Sequence, residues 1–189
     1  NRSWPEWRAA LERRGIEVLD VDAVLRALPE GLRAAPYLKT DTHWRPETME
    51  AVARAVADCV RPHLTNVSEP SGYTRRDLVV TNEGDLAVML NLPKSAGWPQ
   101  AEIVTVRQVV RPDGRPWMPD PSADVLLLGD SFSNIFSLES MRWGSSAGLA
   151  EQLAWELQRP VDRMVRNDAG AFATRQMLLG ELRRRPERF

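Results

Sequence analysis

The sequence is poor in the residues that build metal centres and disulfide frameworks. Its 189 residues include one cysteine and two histidines. A single cysteine excludes an internal disulfide, and two histidines with one distant cysteine give no spaced ligand set for zinc. Cys59 falls among apolar positions of a predicted helix, which favours a buried structural thiol over a reactive one. We therefore expect no metal and no other cofactor.

The chain also lacks an excess of charge of either sign and lacks long apolar runs. It carries 25 basic and 26 acidic residues, for a net charge of −1. This balance argues against nucleic-acid binding, and we interpret the cluster 183–185 as a solvated helix end. No stretch approaches the roughly 18 apolar residues of a membrane span, and no segment of the sequence has the pattern of a signal peptide. Because the chain begins with Asn1 rather than Met, we expect that an N-terminal signal or anchor has been removed.

The length and the apolar content predict one domain over residues 1–189. Hydrophobic residues make up 43% of the chain, enough for one substantial core. Predicted strands cover 16–21, 78–81, 103–110, 125–129 and 161–165. Predicted helices cover 23–28, with Asp22 as its cap, then 46–60, 85–90, 149–157 and a last helix through Leu182. We expect strand 103–110 to pair antiparallel at an edge. The alternation predicts a three-layer α/β/α fold with a mostly parallel sheet covered on both faces.

One serine follows a predicted buried strand. The apolar run from Val125 ends at Gly129 and is followed by Asp130 and Ser131, a tight turn of the kind where open α/β sheets present reactive groups. A nucleophilic serine and a helix cap are both consistent with this turn, because Asp and Ser are preferred caps. The lipase-type elbow is absent because Ser133, not glycine, stands two positions after Ser131. This argues against an ordinary α/β-hydrolase.

A base for such a serine lies far upstream. His43 follows Asp41 by two residues, so the carboxylate is able to fix the imidazole tautomer and stabilise the imidazolium. Histidine and aspartate are also common in polar loops without catalytic roles. The sequence therefore offers Ser131, His43 and Asp41 as a candidate triad.

These segments together resemble the alginate O-acetyltransferase family of AlgJ/AlgX type. The resemblance is carried by Tyr-Leu-Lys-Thr-Asp-Thr-His-Trp at 37–44 with a helix directly after it, Gly-Asp-Leu at 84–86, and Leu-Leu-Gly-Asp-Ser-Phe-Ser at 127–133. Members of this family have SGNH-hydrolase-like domains in which the Asp-x-His segment precedes the serine, the reverse of ordinary SGNH esterases. The resemblance runs in patches from about Trp4 to Leu182. This chain is more similar to the single-domain J type than to the X type, which carries a further carbohydrate-binding module.

The resemblance implies a periplasmic or otherwise extracytoplasmic enzyme that acetylates a hydroxyl of an alginate-like exopolysaccharide, and it allows a membrane anchor in the full-length protein. By that match Ser131 is the nucleophile, His43 the general base and acid, and Asp41 the orienting carboxylate. The polysaccharide is the acceptor, and a membrane-bound O-acyltransferase is the expected source of the acetyl donor.

Three further residues are candidates for the oxyanion hole or for substrate binding. The backbone N–H of Ser131 is one expected oxyanion donor. SGNH enzymes usually add a glycine and an asparagine, and Asn167, after the strand 161–165, is the best candidate for the asparagine, with a turn-forming role as the alternative. Arg175 on the last helix is a candidate for an anionic sugar or the acyl donor, and a solvated helix cation is its alternative.

Seven tryptophans are many for this length. Those in predicted loops are Trp44, Trp98, Trp117 and Trp143, and they are consistent with a stacking platform for sugar rings or with lids on the core. Trp44 is the first candidate for a platform because it adjoins His43.

Two other functions fit the same residues. A secreted carbohydrate acetylesterase would use the same triad with water as the acceptor. A non-catalytic glycan-binding protein or acyltransferase partner would keep the fold alone. The joint presence of Ser131, His43 and Asp41 argues against the second, because a binding module needs none of the three.

Overall fold

The first third of the chain is helical. The computed structural model describes residues 3–64, 69–91, 93, 95, 97 and 101–188. Its first four helices are α1 (Ser3–Glu12), α2 (Val21–Arg26), α3 (Glu30–Ala34) and α4 (Pro46–Val60). Proline opens α4, where its missing N–H has no intrahelical partner to lose. No helix of the described residues is long and apolar enough to cross a membrane.

The middle of the chain forms an antiparallel ribbon. Strand β1 (Thr74–Asn82) pairs with β2 (Glu102–Val110), with Leu78 opposite Val106, and the short helix α5 (Asp85–Leu90) follows β1. One face of β2 is buried and the other exposed over much of its length, as the alternation of the sequence requires. The ribbon therefore covers the core with one face.

The last third has the strand–helix alternation of an α/β fold. Strand β3 (Leu126–Gly129) pairs in parallel with β4 (Asp162–Val165). Helices α6 (Ser131–Asn134) and α7 (Leu149–Leu157) lie between these strands in sequence, and α8 (Gly170–Arg184) follows β4. Short 3₁₀ helices cover Arg61–His63, Glu139–Met141 and Pro186–Arg188. The carboxyl end of β3 thus delivers Ser131 at the start of α6, as predicted.

Two buried clusters hold these elements together. The first joins α4 to the segment after α6 and includes Met49, Phe136 and Trp143. The second joins α4 to α7 through Ala57 and Leu153, and it also contains Val109, Trp117 and Val161. Helix α4 contributes to both clusters, so it fixes the candidate catalytic elements relative to the rest of the core.

The structure confirms the mixed α/β class and several predicted elements. Helices over 46–60, 85–90 and 149–157 are present with the predicted bounds, and 103–110 lies in an antiparallel strand. The mostly parallel sheet is not confirmed, because the described strands form one parallel and one antiparallel pair.

Two local predictions at the N-terminal side are wrong. Residues 16–21 form no strand, since none of the described strands pairs with them, and Val21 instead packs against the first cluster. Helix α2 begins earlier than predicted because Asp20, not Asp22, caps it and accepts the amide of Ala23 at 3.1 Å. Cys59 is half-buried rather than buried. Its pKa is raised by burial and by the neighbouring Glu17, which keeps it as the unreactive thiol.

Candidate active site

The Asp-x-His segment lies in a short loop closed like a hairpin. Tyr37 and Trp44 form an antiparallel bridge. The amide of Leu38 donates to the carbonyl of His43 at 3.0 Å, and the amide of Arg45 donates to the carbonyl of Pro36 at 3.0 Å. Helix α4 begins directly after this closure. The loop is therefore fixed to the core at its base.

Asp41 and His43 are joined inside this loop. Oδ1 of Asp41 lies 2.6 Å from Nδ1 of His43 and 3.2 Å from its amide nitrogen. Both residues are buried, at 4% and 6% exposure. A carboxylate at Nδ1 selects the tautomer that carries its proton there, which leaves Nε2 as an acceptor. Nε2 is buried and has no hydrogen-bond partner among the described residues. It is available to take a proton from a hydroxyl.

The second oxygen of Asp41 is also fully engaged. Oδ2 accepts the indole N–H of Trp143 at 2.7 Å and the amide N–H of Asp85 at 3.1 Å. Burial of Asp41 opposes its ionisation, but the hydrogen bonds from His43, Trp143 and Asp85 outweigh burial and hold its pKa below the ordinary value. Asp41 is thus a stable anion beside the imidazole.

The start of α5 closes over the loop from the other side. The side chain of Asp85 accepts the amide of Thr42 at 2.8 Å and its hydroxyl at 2.6 Å. Gly84 allows this approach, because its φ is +79° and a Cβ there would lie 2.1 Å from the carbonyl oxygen of Thr40. Asp41, His43 and Asp85 bring potential metal ligands within 4.8 Å of one another. Since N–H and O–H donors occupy the oxygens of both carboxylates, this arrangement favours an orienting network over a metal site.

Ser131 opens α6 at the end of β3. Asp130 caps the helix by accepting the amide of Phe132 at 3.0 Å. A Cβ on Gly129 would lie 2.1 Å from the hydroxyl oxygen of Ser133, so the turn pairs a glycine before Ser131 with a small polar residue after it. The pairing explains how the turn forms without the second glycine of a lipase elbow.

The helix that carries Ser131 packs against His43. The ring of Phe132 lies 4.9 Å from the imidazole and 5.3 Å from the indole of Trp44, measured between ring centroids. No hydrogen bond joins Ser131 to His43 among the described residues, since Nε2 is unpartnered. The ring of Phe132, the residue after Ser131, makes the contact with His43, so the complete triad remains a prediction.

Asn167 lies in an amide pair that the sequence does not reveal. Its side-chain oxygen accepts the amide of Asn134 at 2.8 Å, and its own amide nitrogen lies 3.6 Å from the sulfur of Met141. Asn134 is buried on α6, three residues after Ser131. The pair orients the Asn167 amide as a donor that is engaged only by a weak thioether acceptor.

A groove of about 340 Å³ opens beside Asp41 and His43. Its walls come from the end of β1, from α5 and from the segment around the 3₁₀ helix Glu139–Met141. They include Asn82, Met89, Met141 and Arg142. The histidine thus borders an open groove with both apolar and cationic walls.

Arg175 borders a different cavity. This cavity, of about 470 Å³, lies between the end of β3 and α8 and is mainly apolar. Asp130, Ser133 and Arg175 contribute to its lining. Arg175 therefore lies next to the turn that carries Ser131 and outside the groove that contains His43.

The loop tryptophans that the structure describes are buried. Trp44, Trp117 and Trp143 are 9%, 3% and 0% exposed. Because stacking on a sugar requires an open ring face, their burial favours the alternative of core lids. Trp98 lies outside the described residues.

Sequence reasoning missed Asn134, considered Trp143 only as a sugar platform or a core lid, and did not give Asp85 a role. Asp85 belongs to the Gly-Asp-Leu segment, so that motif was a signal. Trp143 and Asn134 carried none, because their partners are 102 and 33 residues away.

Comparison with known proteins points to the same family as the sequence motifs do. A family model described as an SGNH hydrolase-like domain of the acetyltransferase AlgX matches residues 2–187. The O-acetyltransferase domain of Pseudomonas putida AlgJ aligns with a TM-score of 0.68 at 20% identity, covering 93% of this chain and 57% of that one. Pseudomonas aeruginosa AlgX aligns with a TM-score of 0.57 at 14% identity, covering 88% of this chain and 36% of that one. No curated protein sequence gives a significant match.

Proposed function

The chain belongs to the family of SGNH hydrolase-like acetyltransferase domains of AlgX type, and from this premise we propose that it transfers an acetyl group to a sugar hydroxyl through an acetyl-serine at Ser131. The observation that carries the proposal is the state of His43. Its Nδ1 is held by an ionised Asp41, while its Nε2 is buried, unpartnered among the described residues and next to the helix of Ser131. This is the geometry of a general base that awaits a hydroxyl.

In the first half-reaction the Ser131 hydroxyl gives its proton to Nε2 of His43 as Oγ attacks the acetyl carbonyl of the donor. The resulting imidazolium is stabilised by Asp41, which keeps its charge throughout. The tetrahedral intermediate collapses when the bond to the leaving group breaks and His43 returns the proton to that group. Acetyl-Ser131 and neutral His43 remain.

The second half-reaction is the reverse with a different alcohol. A sugar hydroxyl gives its proton to Nε2, and its oxygen attacks the acetyl-serine carbonyl. Collapse releases the O-acetylated sugar and returns the proton to Ser131. The amide N–H of Ser131 and the side-chain amide of Asn167, oriented by Asn134, are the proposed oxyanion donors, each worth roughly 3 kcal/mol in the transition state.

The groove beside His43 is the proposed acceptor site. Arg142 lines the groove with a guanidinium, and Asn82 lines it with a side-chain amide. These groups suit a polymer that carries carboxylates and hydroxyls, which supports an alginate-like acceptor. The cavity that Arg175 borders is the proposed donor side. A periplasmic location and a membrane-bound O-acyltransferase as the source of acetyl groups complete the proposal, and they rest on the resemblance to the family.

The esterase is the second candidate, because a water molecule in the groove would use the same base. A sugar hydroxyl that is bound next to the acetyl-serine reacts as an intramolecular nucleophile, and this proximity is an advantage large enough to compete with water. Incubation with an acetyl donor and uronic-acid, glucan or amino-sugar oligomers should add acetyl groups to a sugar, detected by mass spectrometry. Free acetate as the sole product with all three would identify an esterase.

The chemistry itself is tested with p-nitrophenyl acetate. We expect wild-type protein to release p-nitrophenol, and Ser131→Ala or His43→Ala to lower the rate by roughly three to four orders of magnitude. Ser122→Ala is the control, since it removes an exposed serine hydroxyl that lines neither the groove nor the Arg175 cavity. Equal rates in wild type and Ser131→Ala would favour the non-catalytic partner.

A further inference from the structure

Trp143 reaches the candidate site from a distant part of the chain. It follows Arg142, which ends the 3₁₀ helix Glu139–Met141 in the left-handed conformation with φ of +61°. The Trp143 side chain has no exposed surface and packs in the first core cluster. Its indole N–H donates to Oδ2 of Asp41 at 2.7 Å. Core packing thus aims a single rigid donor at the carboxylate.

This hydrogen bond is specific to Trp143 among the buried tryptophans described. Trp44 and Trp117 are also buried, yet their indole nitrogens have no hydrogen-bond partner among the described residues. The fold therefore tolerates buried indole N–H groups without partners. Core packing alone does not require Trp143 to meet a carboxylate, so the contact calls for another explanation.

The contact acts on the oxygen of Asp41 that does not face the imidazole. Oδ1 accepts the hydrogen bond from His43. A donor to Oδ2 restricts the rotation of the carboxylate about its Cβ–Cγ bond further than the His43 contact alone does. An indole is a donor without acceptor capacity and carries no charge, so it holds an anion in one orientation at any pH. The Asp85 amide adds a second donor to the same oxygen.

We propose that Trp143 is a positioning residue for acyl transfer, fixing Asp41 so that the carboxylate holds the His43 imidazole in its reactive tautomer and orientation. The inference rests on the proposed function for its effect on rate. Its structural part, the coupling of the Trp143 indole to the Asp41–His43 pair, is measurable without turnover.

The pKa of Asp41 gives the inference a pH signature. Burial raises that pKa, and the bonds from His43, Trp143 and Asp85 more than compensate. Without the indole donor the carboxylate holds a proton more tightly, so its pKa rises. Because Asp41 and His43 share a hydrogen bond, an anion that has lost a donor favours the protonated form of the pair, so the acid limb of the pH profile of kcat/KM should move to higher pH.

The test compares Trp143→Phe with Trp117→Phe. Both changes shorten a buried tryptophan, but only the first removes a hydrogen bond that the structure describes. With p-nitrophenyl acetate we expect Trp143→Phe to lower kcat/KM by roughly 10–100-fold, the range known for loss of a hydrogen-bond partner that orients a metal-bound histidine. We also expect its acid limb to move upward. Trp117→Phe should lower thermal stability while leaving the acid limb in place.

A double-mutant cycle tests whether Trp143 acts through Asp41. In an Asp41→Asn background, Trp143→Phe should change kcat/KM by less than about threefold, because the carboxylate it positions is gone. Equal losses and equal pH profiles for Trp143→Phe and Trp117→Phe would overturn the proposal. So would a full Trp143→Phe effect in the Asp41→Asn background.

A spectroscopic measurement covers the case in which Trp143→Phe does not fold or the protein shows no esterase activity. In ¹⁵N-labelled protein the Trp143 indole proton should resonate downfield and exchange slowly, and Asp41→Asn should move it upfield. The Trp117 indole signal should stay in place. An unchanged Trp143 signal would overturn the coupling, whereas a shifted signal in an inactive protein would refute only the proposed function.

Discussion

Two buried carboxylates border the segment 131–137, and they respond to burial in opposite ways. Asp41 contacts His43, whose ring lies 4.9 Å from that of Phe132, and the pKa of Asp41 lies below the ordinary value. Glu151 on α7 is also buried, accepting the hydroxyl of Ser137 at 2.7 Å and the guanidinium of Arg163 at 3.0 Å. Burial raises the pKa of Glu151, and Arg163 and Ser137 offset only part of that rise.

The difference lies in the balance between burial and donors. Asp41 receives four N–H groups: the ring and the amide of His43, the indole of Trp143 and the amide of Asp85. Glu151 also receives backbone amides besides Ser137 and Arg163, but it lies deeper in the protein, whereas Asp41 borders the groove, so burial prevails at Glu151 and the donors prevail at Asp41. The environment of Asp41 keeps its carboxylate ionised. The Glu151 region joins α7 to β4 and to the segment after α6.

The largest expected effect is a loss of turnover when Asp41 is changed and a loss of stability when Glu151 is changed. Asp41→Asn should lower p-nitrophenyl acetate turnover by roughly 10⁴-fold, because the amide is able to hold the wrong imidazole tautomer. Glu151→Ala should instead lower the free energy of unfolding by about 3–5 kcal/mol, because it leaves the half-buried Arg163 without its partner. Urea titration and steady-state kinetics measure both quantities on each variant.

Glu151→Ala protein that is folded at low temperature should retain turnover within about tenfold of wild type. A loss from Glu151→Ala comparable to that from Asp41→Asn would mean that both carboxylates serve the same chemistry.

Alanine substitutions at two glycines test how the approach of α5 supports the Asp41 region. Gly84→Ala should lower the free energy of unfolding by more than about 2 kcal/mol and reduce turnover, because its Cβ would push α5 away from Thr40 and Asp41. Gly114 has the same φ of +79°, but a Cβ there would meet no atom within 4 Å.

Gly114→Ala therefore measures backbone strain alone, at about 1–2 kcal/mol, with turnover unchanged. Equal destabilisation by the two alanines, with turnover intact in both, would show that the approach of α5 to the loop is not required.

The smallest expected effect is an opposite pH dependence of stability at the two carboxylates. Asp41 binds its proton less tightly when folded, so its contribution is present above its unfolded pKa near 3.8 and is lost as the pH falls through the lower folded value. Glu151 binds its proton more tightly when folded. Its ionisation therefore destabilises the fold as the pH rises from about 4.5 through the higher folded value.

Urea unfolding of wild type, Asp41→Asn and Glu151→Gln between pH 3 and 8 measures these dependences. The wild-type advantage over Asp41→Asn should shrink at the acid end. The wild-type protein should lose stability relative to Glu151→Gln as the pH rises. Parallel curves for the two variants would contradict the contrast in pKa.

The local parts of the site could be predicted from the sequence. The Asp-x-His spacing indicated a pair that the structure joins at 2.6 Å, and the apolar run up to Gly129 indicated a strand that ends there, two residues before Ser131. Helix α4 was predictable with its bounds because proline marks its start and its apolar residues recur at helical spacing. In each case the information lies within a few residues.

The remaining parts depend on tertiary contacts that no short window contains. Trp143 fitted a sugar platform as well as a core lid until its indole was seen to meet Asp41. Asn167 fitted an oxyanion donor or a turn, and its pairing with Asn134 depends on how β4 lies beside β3. The segment 16–21 matched a strand, but none of the described strands pairs with it, and its last residue, Val21, begins α2 and packs against the first cluster.

The hairpin-like closure at Tyr37 and Trp44 has a consequence for the order of folding. Asp41 and His43 are two residues apart, so their contact costs almost no loop-closure entropy and can form early. The donors to Oδ2 come from 44 and 102 residues away and arrive only when α5 and the segment after α6 dock. A chain that has collapsed without docking these segments would hold a loose, partly active pair. If the proposed acyl transfer depends on the held pair, full activity reports the completion of folding, and its recovery during refolding should lag behind the formation of helix α4.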